Sequence, residues 1–490
     1  MNTQTQIYKA PLGLLTDLYQ LTMAFGYWKS GLTEREAVFN LFYRKNPFGG
    51  EFAIACGLES VIHYLNDFCF REEDIDYLRG LTGNDGQPLF ESEFLGWLLR
   101  MEFSCDVRAI PEGTVVFPHE PLLRISGPLI QCQLIESALL NLMNFQTLIA
   151  TKSARICMST RGEPVLEFGL RRAQGIDGAL SASRSAYMGG CAATSNVLAG
   201  KVFGIPVKGT HAHSWVMAFD DELEAFEAYA VAMPNNCVFL VDTYDTLDGV
   251  KRAIRTGQRL REKGYEMVGI RLDSGDLAQL SIDARQILDE AGFDGAAIVA
   301  SNDLNEALIT GLKEQGATIN VWGVGTKLAT AYEQPALGGV YKLAAIRDPG
   351  EEWRYRVKLS NEPVKVSNPG LQQVRRFSEN GQFRADVIYD ERLGIPDECQ
   401  YNPIGENALS EVTAGADHED LLVPVFESGR QVYETPDLED VRQMTQEQLA
   451  RLPDGSRQLF DPVPYTVGLE KQLHELKLSL MERALQGGAS

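Results

Sequence analysis

Metal-type cysteine spacing is missing from this chain of 490 residues. Its eight cysteines (Cys56, Cys69, Cys105, Cys132, Cys157, Cys191, Cys237 and Cys399) form no CxxC pair and no short cluster. That pattern excludes a zinc ribbon and a disulfide framework, and it predicts reduced thiols that are mostly buried. Positive charge is scarce, with 45 Lys and Arg against 67 Asp and Glu, a net of −22. An acidic surface repels nucleic-acid phosphates and anionic membrane, so neither is an expected partner. No long apolar run goes uninterrupted. The stretch 129–150 is broken by Gln131, Gln133, Glu136, Asn141 and Asn144, which predicts a buried helix rather than a membrane span. The opening residues MNTQTQIYKAPLG lack a basic segment followed by an apolar core, so the expected location is cytoplasmic. Low-complexity tracts are absent too, which excludes fibrous and linker-type chains.

What is present is globular: 44% hydrophobic and 23% charged residues, enough for about two to four domains. The first zone, 1–145, reads as an α+β, sandwich-like domain. Within it, residues 37–43 and 51–55 flank Asn-Pro-Phe-Gly-Gly, which predicts a hairpin. The middle zone, 146–350, has a rhythm. Apolar runs begin near Pro164, Pro206, Val238, Met267, Ala297 and Asn320, with helix-like segments such as 277–291 and 303–315 between them. Apolar strands alternating with helices predict a covered parallel sheet. With no G-x-G-x-x-G after the first strand, a (β/α) TIM-like barrel fits better than a dinucleotide fold, with closure allowed to be incomplete. The last zone, 351–490, reads as a β-rich C-terminal extension (EEWRYRVKL, EPVKVS, FRADVIYD) that ends in a helix-like tail over 469–485.

Each middle-zone run ends in a polar or Gly-rich cluster. These include Glu167-Phe-Gly-Leu-Arg171-Arg172, Gly209-Thr210-His211-Ala-His213-Ser214, Asp242-Thr-Tyr-Asp245, Arg271-Leu-Asp273-Ser274-Gly-Asp276, Ser301-Asn302-Asp303 and Gly323-Val-Gly325-Thr326. In a barrel they converge on the carboxyl-end rim, where active sites form. Helix capping explains a single such cluster, but not six with paired Arg and paired His. Basic residues concentrate here: Lys152, Arg155, Arg161, Arg171, Arg172, Arg184, Lys201 and Lys208 face three acids, a local net of +5 suited to a small anion.

Each cluster leaves alternatives open. Gly323 and Gly325 permit either a tight turn or a backbone approach to phosphate. Arg271 and Asp273, two residues apart on an extended strand end, share a side. They are either an ion pair or a carboxylate-binding guanidinium beside an acceptor for sugar hydroxyls or magnesium. His211 and His213 are a metal pair, a buried structural pair, or an acid–base or nucleophilic imidazole. In the last case Asp242, ending the next strand, is placed to fix its tautomer.

Taken in order, LLTDLYQLTM (14–23), EFGLRRAQG (167–175), SRSAYMGGCAATSN (183–196), GTHAHSW (209–215), VDTYDT (241–246), IRLDSGDL (270–277), VGT (324–326) and GGVYKL (338–343) resemble the ATP-linked nicotinate phosphoribosyltransferases over almost the whole length. The resemblance implies transfer of a phosphoribosyl group from phosphoribosyl pyrophosphate to nicotinate, in NAD biosynthesis. It implies an incomplete barrel beside a sandwich-like N-terminal domain, and ATP as co-substrate through phosphorylation of His213, with Asp242 beside it. It places nicotinate at Tyr19, Arg171, Thr210, Ser214 and Arg271. The phosphoribosyl group falls to Arg172, Asp273, Ser274, Gly323, Gly325 and Thr326, and Mg²⁺ to Asp273 and Asp276. It also implies a homodimer in which Asp17 and Tyr19 complete the neighbour's site. An acid substrate is favoured over an amide because Ala192-Ala193-Thr194-Ser195 carries no Asp. The rival readings are an amide-specific relative and a non-catalytic nucleotide-binding barrel.

Overall fold

The computed structural model describes residues 11–362, 365–406, 408–412 and 415–486. The chain divides into two compact units, one formed by its two ends (to Leu148 and from Ala336) and one by Ile149–Pro335. It is a mixed α/β protein with a β-rich C-terminal region.

In the unit formed by the chain ends, strand Glu36–Phe42 lies between Val340–Arg347 and Leu123–Pro128, antiparallel to both. Its central residues are buried on both faces, which suits a strand with neighbours on either side. Phe39 stacks on Tyr341 across that pairing at 4.7 Å. The hairpin expected across Asn-Pro-Phe-Gly-Gly does not form. Pro47–Gly49 makes a single turn with Phe48 at φ 57°, and Ala53–Ile54 then pairs with Val115–Val116 instead. Ten residues between the strands are too many for a two- to five-residue hairpin loop.

Among the described residues the C-terminal sheet has six strands, all from Gln372 to Glu470. Its core carries Arg376, fully buried, whose Nε donates to Asp386 at 2.9 Å while Nη2 reaches the Val115 carbonyl at 2.8 Å. The Tyr465 hydroxyl donates to Asp386 at 3.0 Å. The EPVKVS run falls partly outside the described residues, and 366–367 are not in a strand.

The central unit holds six short parallel strands: β1 (Val165–Glu167), β2 (Ala193–Thr194), β3 (Val238–Leu240), β4 (Gly269–Leu272), β5 (Ala297–Ala300) and β6 (Val321–Val324). Their order is β2-β1-β6-β5-β4-β3. The expected strand near Pro206 is reduced to one parallel bridge, Thr194 to Val207. One segment nevertheless touches both edge strands. Thr194 N–H donates to Pro206 and Lys208 N–H to Thr194, both at 3.0 Å. A few residues on, the Thr210 hydroxyl donates to the Val238 carbonyl, and Leu240 N–H donates to His211 Nε2 at 3.2 Å.

Helices follow the strands, and four begin on a side-chain cap: Asn196, Asp245, Asp276 and Asn305 each accept from the backbone N–H three residues on. Part of the polarity after these strands is therefore capping. Among the described residues no helix is long and apolar enough to cross a membrane.

Candidate active site

The carboxyl ends of β3 and β4 and the segment before His213 bring four chemically capable side chains together. His213 opens a short helix, 213–216, with its side chain 39% exposed. Its Nδ1 lies 3.1 Å from the Thr243 hydroxyl. Nε2 faces two carboxylates, 4.0 Å from Asp242 Oδ1 and 3.8 Å from Asp273 Oδ2. The hydrogen-bonding contact on Nδ1 is thus made by Thr243, whose hydroxyl can serve either tautomer. Asp242 does not fill that place, because it lies on the other side of the ring at a distance too long for a hydrogen bond.

Asp242 itself is anchored. Its side chain is 1% exposed, and Oδ2 accepts from Asp273 N–H at 2.8 Å and from the Ser274 hydroxyl at 2.7 Å. Its buried Oδ1 has no hydrogen-bond partner. A buried carboxylate oxygen left without a donor is costly, and it is the type of oxygen that a hard cation takes. With Asp273 Oδ2 alongside, these residues fit Mg²⁺. Among the described residues no three His, Cys, Asp or Glu side chains gather into a metal cluster. Asp276 does not join them. It is exposed, and its carboxylate caps helix 277–290 through Gln279 N–H.

Arg271, the third residue of β4, is held but not saturated. Nε donates to the Ser301 hydroxyl at 3.0 Å, while Nη1 to the His211 carbonyl and Nη2 to Asp273 Oδ1 are both long, at 3.4 Å. The Ser301 hydroxyl donates in turn to Asp273. Ser301 ties the guanidinium to the carboxylate across β4 and β5. It stood in a polar cluster of the sequence, yet nothing there marked it apart from its neighbours, and the same is true of Thr243.

His211 serves structure. It is buried against Tyr229, Phe226 and Phe239. Accepting from Leu240 N–H leaves its proton on Nδ1. Burial depresses its pKa to about 4, against a raising contact with the Ala212 carbonyl, and the Arg271 and His213 charges add to the depression. Thr210 spends its hydroxyl on Val238. Ser214 is exposed beside His213.

Glu167 is buried at the end of β1, where it accepts from Gly169 N–H, from the Ser183 hydroxyl at 2.9 Å and from the Thr194 hydroxyl at 2.6 Å. It thus locks β1, β2 and helix 176–188 together. Gly323 has a packing reason: a Cβ there would meet the Phe168 ring at 2.7 Å. Gly325, next to the Phe168 carbonyl, precedes Thr326, which begins the short helix 326–329.

The local basic excess divides in two. Lys152 and Arg155 are buried. Lys152 pairs with Glu306 at 2.6 Å and Glu333 at 2.8 Å, and Arg155 pairs with Glu306 at 3.0 Å, so neither is available to an anion. Arg171 and Arg172 lie exposed in the turn 170–172, and Lys201 and Lys208 are exposed as well. Asp17 and Tyr19 belong to the other unit. Asp17 accepts from the Ser137 hydroxyl at 2.6 Å, and Tyr19 is 50% exposed. Burial, with the nearby Glu136 and Asp17 charges, raises the Tyr19 phenol pKa.

Family models match in chain order. The nicotinate phosphoribosyltransferase N-terminal domain covers 14–144, the nicotinate phosphoribosyltransferase family model 164–353, and the C-terminal domain 372–477. The chain is 43% identical over 485 residues to a nicotinate phosphoribosyltransferase of Bacillus subtilis, spanning 96% of this chain and 97% of that one. It is 40% identical to one from Dictyostelium discoideum, spanning 94% and 87%. The crystal structure of human nicotinic acid phosphoribosyltransferase superposes with a TM-score of 0.82 at 33% identity, spanning 95% of this chain and 99% of that one. A rim of imidazole, guanidinium and carboxylates, in a chain related end to end to these proteins, makes it a member of the nicotinate phosphoribosyltransferase family.

Proposed function

We propose that the chain transfers the phosphoribosyl group of phosphoribosyl pyrophosphate to the ring nitrogen of nicotinate, with release of pyrophosphate, as a step in NAD biosynthesis. His213 takes a phosphoryl group from ATP during turnover. The observation that carries this reading is the meeting of His213, Asp242, Arg271 and Asp273 at the ends of adjacent strands.

Arg271 binds the nicotinate carboxylate. Its long bonds leave donor capacity, and a guanidinium suits a planar carboxylate. Departure of pyrophosphate leaves a cation-like ribosyl centre, and carboxylates fixed in advance stabilise developing positive charge. Asp273 has an oxygen for ribose hydroxyls. Asp242 and Asp273 hold Mg²⁺, which supplies charge neutralisation to the phosphates. Exposed Arg171 and Arg172 supply pyrophosphate donors, as Lys152 and Arg155 do not. Thr326, Gly325 and Ser274 line the phosphoribosyl side. The acid is preferred to the amide because 192–195 contains no carboxylate, and the nearby Glu167 is closed off by three hydrogen bonds.

The central sheet is read as an incomplete barrel, supported by the segment 206–211 that reaches both edge strands. The functional form is a homodimer in which Asp17 and Tyr19 of a second copy complete the site, which the exposure of Tyr19 supports.

One assay tests the chemistry: purified protein with phosphoribosyl pyrophosphate, Mg²⁺ and either nicotinate or nicotinamide, with and without ATP, following mononucleotide and ADP. Nicotinate-specific product stimulated by ATP is expected. Stimulation that survives in His213→Ala removes the phosphohistidine from the reading.

A further inference from the structure

We infer that Ser301 is the positioning residue of Arg271. Its hydroxyl occupies the Nε side of the guanidinium and keeps it from closing on Asp273, which leaves the Nη1–Nη2 edge for the nicotinate carboxylate. The inference rests on the reading of Arg271 as the donor to that carboxylate and deepens it.

The sheet register puts the three side chains on one side. β4 and β5 run parallel, with Arg271 beside Val299 and Leu272 beside Ala300, so Ser301 follows in register beside Asp273. Arg271 and Asp273 are two residues apart, and extended chain repeats its side-chain direction every two residues. The Ser301 backbone N–H donates to the Leu272 carbonyl at 2.9 Å, which fixes where its side chain starts. The residue is only 5% exposed, so its hydroxyl is given to protein groups rather than to solvent.

An arginine and an aspartate so placed attract each other. Unobstructed, they form the two-bond fork in which Nε–H and Nη2–H meet the two carboxylate oxygens. That fork is not made here. Nε donates to Ser301 Oγ at 3.0 Å, the Ser301 hydroxyl donates to Asp273 Oδ1, and Nη2 stands 3.4 Å from the same oxygen. The hydroxyl acts as a wedge, accepting from the cation and donating to the anion, which its lone pairs and single proton allow. A guanidinium takes a carboxylate in its plane along either the Nε–Nη2 edge or the Nη1–Nη2 edge. Ser301 and Asp273 use the first. On the second, Nη1 has only its long 3.4 Å contact with the His211 carbonyl. Asp273 keeps Oδ2 outside the pair, so both charges stay available to ligands.

The test is Ser301→Ala, which removes the hydroxyl and little else. With the wedge gone the ion pair closes, and KM for nicotinate is expected to rise roughly tenfold, the scale of one hydrogen bond to a charged group. In an Arg271→Lys protein the same serine change is expected to alter KM by less than about twofold, because a lysine has no fork to set and the two effects are coupled. An unchanged KM in Ser301→Ala, or the same factor in both backgrounds, overturns the inference. A second measurement stands even if Ser301→Ala does not fold. In ¹⁵N-arginine-labelled parent protein the Nε–H signal of Arg271, assigned by its absence from Arg271→Lys, is expected to exchange slowly with solvent, and exchange at the solvent rate overturns the inference. A parent that makes no nicotinate mononucleotide defeats the proposed function itself. If Arg271→Lys raises KM while Ser301→Ala does not, only the role of Ser301 fails.

Discussion

The Asp242 carboxylate accepts a 2.8 Å hydrogen bond from the backbone N–H of Asp273, the first residue beyond the neighbouring strand. One acid thereby sets the backbone position of the other, and the two act as a unit. An Asp242→Asn protein places an amide against that N–H or turns a donor toward His213, and either spoils the pair. The expected loss in kcat is at least about tenfold. Asp276→Ala is the contrasting change: loss of a helix cap costs about 1 kcal/mol in stability and leaves turnover within about twofold. Steady-state kinetics beside urea unfolding separates the two, and equal kinetic losses would contradict the division of roles.

Arg271→Lys keeps the charge and removes the planar fork. Lysine does not reproduce two parallel hydrogen bonds to a carboxylate. The expected outcome is a KM for nicotinate raised by about ten- to a hundredfold, matching roughly 1.5–3 kcal/mol for a charged hydrogen bond. Initial rates against nicotinate concentration measure it. An unchanged KM would detach Arg271 from the nicotinate carboxylate.

Arg376 and Asp386 are both fully buried in the C-terminal sheet. Glu120 lies beside them, its pKa held well above the usual carboxylate range by burial and by the Asp386 charge. Arg376→Met leaves Asp386 uncompensated and is expected to cost about 3–5 kcal/mol, whereas the double change Arg376→Met with Asp386→Leu recovers much of that. Denaturant unfolding of the three proteins tests the ordering.

Acid sensitivity has a specific contributor in His211. Its folded-state pKa, about 4, lies below the ordinary value of 6.5, so the unfolded chain binds the extra proton first. Stability from this group is complete above about pH 6.5 and is lost as pH falls from there toward 4. His211→Gln keeps an acceptor for Leu240 N–H but does not titrate. Its unfolding midpoint should fall less steeply than the parent's between pH 6.5 and 4. Parallel slopes would assign the acid lability elsewhere.

Much of the central unit was legible because its strands are short apolar runs at regular spacing. Those starting near Pro164, Val238, Met267, Ala297 and Asn320 all lead into strands of the parallel sheet. The run at Pro206 became a single bridge, and its place beside β1 went to Ala193–Thr194, two small residues with no apolar run to announce them. The failed hairpin at 37–55 has a different cause. Local turn chemistry says that the chain reverses but not which distant strands become the partners, and these, Leu123–Pro128 and Val340–Arg347, lie far along the chain.

At the site, residue types at strand ends pointed to His213, Arg271 and Asp273. The division of labour was not readable. Whether an aspartate flanks a ring, caps a helix or faces a cation depends on ångström-scale placement, and Asp242 and Asp276 differ in little else. Thr243 and Ser301 were hidden because hydroxyl residues are common at strand ends and only their contacts set them apart.

The run from Pro206 to His211 is moored unequally. Two main-chain hydrogen bonds tie it to β2, while only a threonine hydroxyl and an imidazole fasten it to β3. His213 stands two residues beyond that lighter fastening, so the stretch between Lys208 and its ring is held to the sheet by side chains. A change at Thr210 or His211 would therefore loosen the stretch that leads to the His213 ring without breaking any strand-to-strand pairing of the sheet.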